Sequence, residues 1–246
     1  LGIPAEPLFR SSYVALQLNG DELRTEASYN LTNSDFAFGM WLYRQTDGNI
    51  ISLGSTDDKM SLFTHDGGKI AARVGDDNDV YDAGATLPAD IWTYIGITYK
   101  RKNANDPQNR ISMFYVNAET GTTPVYVGDN IPAGDLKGHG KLTIGGDGLK
   151  GMMRELTLWN VEKTTTELYE TRDQIKAAYT PGLVGYWRMD EGHGTTIYDK
   201  SRSRHMLMPT ESWYINNRNL AAHLAGTEPI KVDIRNFCPR ATDHYA

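Results

Sequence analysis

Cysteine is nearly absent: Cys238 is the only one in 246 residues. No intrachain disulfide can form, and neither a thiolate zinc site nor a CxxC redox pair can be assembled. Lys/Arg runs are missing as well. With 25 Lys+Arg against 31 Asp+Glu, a formal net charge of -6, the chain lacks the clustered cations from which nucleic-acid binding draws its affinity, so no nucleic-acid partner is expected. No apolar run approaches the roughly 18 residues of a membrane helix, so the chain is not expected to span a membrane. The opening Leu1-Gly2-Ile3-Pro4-Ala5-Glu6-Pro7 lacks the basic and apolar regions of a signal peptide, and an exported form is expected to draw its signal from outside this sequence.

What is present suits a turn-rich β protein: 24 glycines, 14 tyrosines and 39% hydrophobic residues. A chain of this length folds as one large sandwich or two small domains, and buries roughly 70 to 75% of its unfolded surface, so its core needs no staple. Period-two alternation predicts strands over 13–18, 36–43, 49–54, 60–64, 70–74, 92–99, 111–117, 141–145 and 152–159, broken by turn residues about every ten positions. Asn19-Gly20, Asp47-Gly48, Asp66-Gly67-Gly68 and Glu119-Thr120-Gly121 read as hairpin-type turns. Parallel crossovers are missing from this pattern, which predicts an antiparallel all-β sandwich or jelly roll. Thr164-Thr165-Thr166-Glu167 has capping-box spacing, and Leu168, Ile175 and Tyr179 recur at helical intervals up to Pro181-Gly182, predicting one short helix near 164–179. Further strands are expected at 183–189, 195–199 and 206–208, with one more at 230–236 in a tail of weaker periodicity. The domain reading is a leader at 1–11, a sandwich at 12–208 and an extension or further module at 209–246. No short-period repeat occurs, which excludes repeat solenoids and propellers.

Three segments resemble the laminin-G-like, concanavalin A-like jelly rolls of bacterial surface proteins. The first is Ala15-Leu16-Gln17-Leu18-Asn19-Gly20 followed by Phe36-Ala37-Phe38-Gly39-Met40-Trp41, and the second is Trp92-Thr93-Tyr94-Ile95-Gly96-Ile97-Thr98-Tyr99. The third joins Gly151-Met152-Met153-Arg154-Glu155-Leu156-Thr157-Leu158-Trp159-Asn160 to Gly182-Leu183-Val184-Gly185-Tyr186-Trp187, and ends in Glu191-Gly192-His193-Gly194-Thr195-Thr196-Ile197-Tyr198-Asp199. The resemblance covers roughly residues 12 to 208. It implies an extracellular, cell-surface or periplasmic protein, in some cases lipid-anchored through a segment outside this sequence, that binds glycans or serves as a spacer.

Catalytic signatures are weak. Glycoside hydrolases with this fold resemble one another in an E-x-D-x-E strand, which sets carboxylates on one face; this chain has none, and its nearest pairs are Asp190-Glu191 and Glu22 with Glu26. G-x-S-x-G and H-E-x-x-H are also missing. A noncatalytic binding or adhesion module is therefore expected, with a spacer and an unrecognised glycosidase as rivals. Calcium is the one cofactor the sequence raises. Asp76-Asp77-Asn78-Asp79 forms an oxygen-rich stretch that fails EF-hand spacing and reads either as a solvated hairpin tip or as a calcium loop. The resemblance offers a second metal pair, Asp21 with Glu155, although Arg154 stands where many relatives carry an acid. Glycan binding needs an aromatic ring with polar groups beside it. Trp41, Trp92, Trp159 and Trp187 fall on strands and read as core. Trp213-Tyr214 with Asn216 and Arg218, and Tyr81 beside the acidic stretch, are the candidate ligand-binding residues for a glycan or surface-protein partner. Asn30-Leu31-Thr32 is a formal glycosylation sequon that reads as chance.

Overall fold

The computed structural model describes residues 15–55, 58–75, 80–118, 124–136, 138–191, 196–205 and 207–209. In chain order its strands are β1 (Leu16–Asn19), β2 (Glu22–Thr25), β3 (Tyr29–Asn30), β4 (Phe36–Arg44), β5 (Gly48–Ser55), β6 (Asp58–His65), β7 (Lys69–Gly75) and β8 (Val80–Thr86). They continue as β9 (Trp92–Lys100), β10 (Asn109–Asn117), β11 (Val125–Ala133), β12 (His139–Gly140), β13 (Leu142–Gly145), β14 (Lys150–Trp159), β15 (Leu183–Trp187) and β16 (Leu207–Pro209), with the helix α1 (Thr165–Glu170) between β14 and β15. Two seven-stranded antiparallel sheets result. One runs β1-β14-β4-β9-β10-β11 with β15 also on β14; the other runs β16-β2-β13-β5-β6-β7-β8. The expected all-β antiparallel sandwich is the fold.

The alternation of each strand decides what lies between the sheets. Phe36, Phe38, Met40 and Leu42 of β4 share one phase and meet Met60 and Leu62 of β6, Ile70, Ala72 and Val74 of β7, and Ile95 and Ile97 of β9 in the main core. Tyr99 stacks on Phe36 at 5.0 Å, and Trp187 is fully buried with its Nε1 donating to the His205 carbonyl at 2.8 Å. The opposite phase of β4 is buried too. Ala37 and Trp41 join Tyr94, Phe114, Val116, Trp159, Leu183 and Tyr186 in a second cluster, sealed by Leu168 of α1. A strand covered on both faces loses its polar phase, which is why β4 is apolar almost throughout. Gly39 and Gly96 face each other across β4 and β9. A Cβ on Gly39 would lie 2.1 Å from the Tyr94 hydroxyl, and one on Gly96 would lie 2.1 Å from Phe114 Cε1. The glycine pair is thus the floor on which two buried rings lie.

Three expectations change. The helix spans only Thr165–Glu170, with its capping box formed by Thr164 and Glu167, and Ile175 and Tyr179 are exposed. Only Leu168 is buried along it, so no apolar stripe propagates the helix past Thr171. Next, Asn19-Gly20 and Asp47-Gly48 do not close hairpins: β1 and β4 lie in one sheet while β2 and β5 lie in the other. These turns are arches between the layers, whereas Asp66-Gly67-Gly68 does join the paired strands β6 and β7. Last, β2, β3, β8, β11 and β12 add to the expected strands, and the strand expected at 195–199 is present only as isolated bridges of Ile197 to Leu207 and Asp199 to Trp187. β8 and β11 are sheet edges, where Gly84, Gly128 and Pro132 are tolerated because one side of the ladder is free.

Candidate functional site

The outer face of the first sheet is closed by α1 and the second cluster, which among the described residues leaves the outer face of the other sheet uncovered. There β6 sets Met60 and Leu62 inward and turns Lys59, Ser61, Phe63 and His65 outward. A cavity of about 310 Å³ opens on this face, lined by Asp47, Gly48, Asn49, Lys59, Ser61, Phe63, Thr64, His65, Arg73 and Asp147. Phe63 is half-buried, and the Arg73 guanidinium of the neighbouring strand lies 5.4 Å from its ring centre. His65 tilts against the same ring at 5.8 Å. Opposite Phe63 across β6 and β7 stands Ala71, a side chain small enough to leave the ring room.

The rim of this cleft is held by hydrogen bonds, those of Arg44 to Leu87 and of Asn49 to Gly145 buried. Arg44, buried at the end of β4, donates from Nε and Nη2 to the Leu87 carbonyl (3.2 and 2.9 Å) and from Nη1 to Asp47 Oδ1 (3.0 Å). Asp47 Oδ2 accepts from the Gly67 amide at 2.7 Å. The inter-sheet arch is thereby tied to the β6–β7 turn. Asn49 Nδ2 donates to the Gly145 carbonyl (2.7 Å), and Thr46 Oγ1 links the Gly148 carbonyl and the Lys150 amide (2.7 Å each). Both His65 ring nitrogens face carboxylate oxygens at 3.3 Å, Nδ1 toward Asp66 Oδ2 and Nε2 toward Asp82 Oδ2. The Thr64 hydroxyl is buried with no hydrogen-bond partner. A rim fixed in advance lowers the ordering cost of binding a polar ligand.

The residues expected from the sequence fall elsewhere. Trp213, Tyr214, Asn216 and Arg218 lie outside the described residues, as do Asp76, Asp77, Asn78 and Asp79. Tyr81 on β8 packs against the main core, and its hydroxyl accepts from the Gly134 amide at 3.1 Å. Asp21 and Glu155 are not brought together. β1 and β14 pair Leu16 with Met153 and Asn19 with Lys150, so Asp21 lies beyond one end of this ladder and Glu155 beyond the other. Glu155, at a bulge with φ 53°, accepts from the Tyr186 hydroxyl (2.5 Å) and faces Arg188 Nε (3.3 Å). Burial, then the Glu155 charge, pushes the Tyr186 hydroxyl above its ordinary range. Arg154 is buried over the Trp92 and Trp41 rings at 5.0 and 5.9 Å, and burial lowers its affinity for its proton. Among the described residues no group of three or more His, Cys, Asp or Glu side chains is placed to hold a metal ion.

No motif marks Phe63 and its neighbours in the sequence. The signal was in the alternation Lys59-Met60-Ser61-Leu62-Phe63-Thr64-His65: Phe63 is the one aromatic ring standing in the polar phase of that strand.

Two packed antiparallel sheets, one with its outer face sealed and the other with an aromatic, hydrogen-bonding cleft, make a β-sandwich. Residues 18–168 match the family model Laminin_G_3, of the concanavalin A-like lectin/glucanases superfamily, and the chain belongs to this family. No curated protein sequence matches the chain. Among solved structures it is similar to a protein of Bacteroides ovatus provisionally described as a carbohydrate binding protein, at 15% identity and a TM-score of 0.54. That match covers 81% of this chain and 58% of the other, so the chain spans less than two thirds of that protein's length. The heptameric SAP-like pentraxin of Limulus polyphemus is similar at 12% identity and a TM-score of 0.46, covering 64% of this chain and 81% of that one. The binding domain of botulinum neurotoxin serotype D is similar at 12% identity and a TM-score of 0.35, covering 78% and 61% respectively. At such identities the likeness is one of fold.

Proposed function

We propose that this protein is a noncatalytic carbohydrate-binding module of an exported or cell-surface protein, and that the cleft on β5, β6 and β7 takes the glycan. The observation that carries this reading is Phe63, a ring held on the polar face of a sheet among Asn49, Ser61, His65 and Arg73, with a rim tied by Arg44 and Asp47. Sugars offer C–H faces that stack on rings and hydroxyls that pair with amides, hydroxyls and guanidinium groups, and this cleft supplies both kinds of partner. Hydrolysis of a glycosidic bond requires two carboxylates free to act, whereas of the two that line this cleft Asp47 is held by Arg44 and the Gly67 amide and only Asp147 remains. The surface location rests on the family resemblance.

The test is a glycan-array screen of the native protein and Phe63→Ala, each with and without a calcium chelator. Native protein should bind a subset of glycans, and Phe63→Ala should weaken that binding by about 1–2 kcal/mol, roughly 5- to 30-fold. A site built from Phe63 and Arg73 should bind equally with chelator present. Loss of binding on chelation would move the site to a metal, with the 76–79 stretch as first candidate. Loss in Trp213→Ala, but not in Phe63→Ala, would move it to the tail around Trp213, Tyr214, Asn216 and Arg218. Silence on every glycan would favour a spacer.

A further inference from the structure

We propose that the cleft selects an acidic glycan, one bearing uronic-acid carboxylates, with Arg73 as the residue that recognises the carboxylate. This rests on the carbohydrate-binding reading above and adds the class of sugar. The chain as a whole is acidic, so the proposal turns on which charges of the cleft are already committed. Asp47 is satisfied by Arg44 and by the Gly67 amide. Asp66 and Asp82 face His65, with Lys69 also within 3.8 Å of Asp66 and the Gly84 amide donating to Asp82. Of the lining carboxylates, only Asp147 stands exposed on the rim without an ion pair among the described residues. The lining cations are in the opposite condition. Lys59 and Arg73 both line the cleft, and among the described residues neither is paired with a lining carboxylate, Asp47 being taken by Arg44.

Arg73 is also held in a posture suited to the task. Its guanidinium lies over the Phe63 ring while the side chain as a whole stays exposed. At 5.4 Å from the ring centre the guanidinium stands beside Phe63, and its N–H edges can meet a planar carboxylate with two parallel hydrogen bonds. The adjoining Phe63 edge and the Ser61 and Asn49 side chains are then placed for the sugar ring and its hydroxyls. A volume of about 310 Å³ is at the small end for ligand clefts, which suits a short stretch of a polysaccharide.

The experiment is calorimetric titration of the protein with oligogalacturonate and oligomannuronate, each beside its carboxyl-reduced, neutral form, and with a sulfated oligosaccharide as a further anion. Native protein should bind at least one uronate oligomer roughly tenfold or more tightly than its reduced form, since a charge-assisted bidentate pair is lost on reduction. Arg73→Ala should abolish that preference. Arg73→Lys should recover only a minor part of it, because an ammonium keeps the charge and lacks the fork. Arg73 is exposed, so both variants should melt with the native protein, which separates recognition from folding. Equal binding of the uronate and reduced forms, preference for the sulfated oligosaccharide, or an undiminished preference in Arg73→Ala would overturn the proposal. Binding of neutral glycans alone would overturn it while leaving the carbohydrate-binding reading in place. Failure of every glycan, charged or neutral, would overturn both.

Discussion

Replacing Gly96 with alanine asks whether the outer face of the first sheet is a sealed core. On an open strand this change would stabilise by roughly 0.5–1 kcal/mol, because glycine surrenders more freedom on folding. Here the new Cβ would sit 2.1 Å from Cε1 and 2.5 Å from Cζ of Phe114, a fully buried ring in the cluster under α1. Carbon contacts settle near 3.5–4.0 Å, so the ring or the strand must yield by more than about 1 Å. Overpacking of this kind costs about 1–3 kcal/mol. At about 2–4 °C per kcal/mol for a domain of this size, Tm should fall by roughly 2–12 °C in a calorimetric scan. Phe114→Leu, which vacates the space, should lower Tm by itself yet make the second change at Gly96 nearly neutral, a coupling visible in a double-mutant cycle. Glycan affinity, set on the other sheet, should not move. A Tm that rises or stays level in Gly96→Ala would refute the packing described for this face.

Other consequences can be measured on the same preparation. Arg44→Met leaves the Leu87 carbonyl and Asp47 without their guanidinium, and should cost about 3 kcal/mol in denaturant titration while loosening the rim of the cleft. Asp199, buried near the end of the described chain, accepts the amides of Tyr186, Ser201 and His205. Asp199→Ala strands three donors and should cost about 3 kcal/mol or more; unchanged denaturation would show that the loop has other anchors. Tyr29 has a buried hydroxyl with no hydrogen-bond partner, so Tyr29→Phe should be neutral or stabilising by up to about 1 kcal/mol. Burial raises the tyrosine pKa at Tyr29, Tyr94 and Tyr186. The folded state therefore holds these protons more tightly than the unfolded chain, whose tyrosines ionise near about pH 10. Their contribution is complete below that pH and is lost as pH rises above it, so Tm should decline on the alkaline side, and less steeply in Tyr29→Phe. A level Tm from pH 9 to 12 would contradict this.

The central strands β4, β9, β10 and β14 were legible because burial, on both faces in β4, leaves long runs rich in aromatic and aliphatic residues. Turn chemistry was legible as turns but not as connections. Gly20 satisfies a φ of 96° in an arch between layers, as Gly67 satisfies 82° in a true hairpin, and only the pairing of whole strands distinguishes the two. Edge strands β8 and β11 lack a continuous apolar phase and carry Asp82 and Gly84, and Gly128, Asp129, Asn130 and Pro132, so they read as loops. The tryptophans at 41, 159 and 187 were rightly read as buried, with Trp92 half-buried beside Tyr43. What sequence could not supply was the division of labour between the two outer faces. Trp41 and Phe63 each occupy the outward phase of a strand, yet Trp41 is buried in the cluster that Leu168 of α1 joins, beneath Arg154, while Phe63 is half-buried. That difference is set by residues more than a hundred positions away from Trp41.

Chemical-shift mapping of the isotopically labelled protein, titrated with an oligosaccharide selected on the array, locates the binding face directly. Shifts should concentrate on the amides of Asn49, Ser61, Phe63, His65 and Arg73 and spare those of Trp41, Tyr94 and Trp159. Shifts confined to the tail around Trp213, or to the sealed face beneath α1, would show that the β5–β7 cleft is not where this protein meets its ligand.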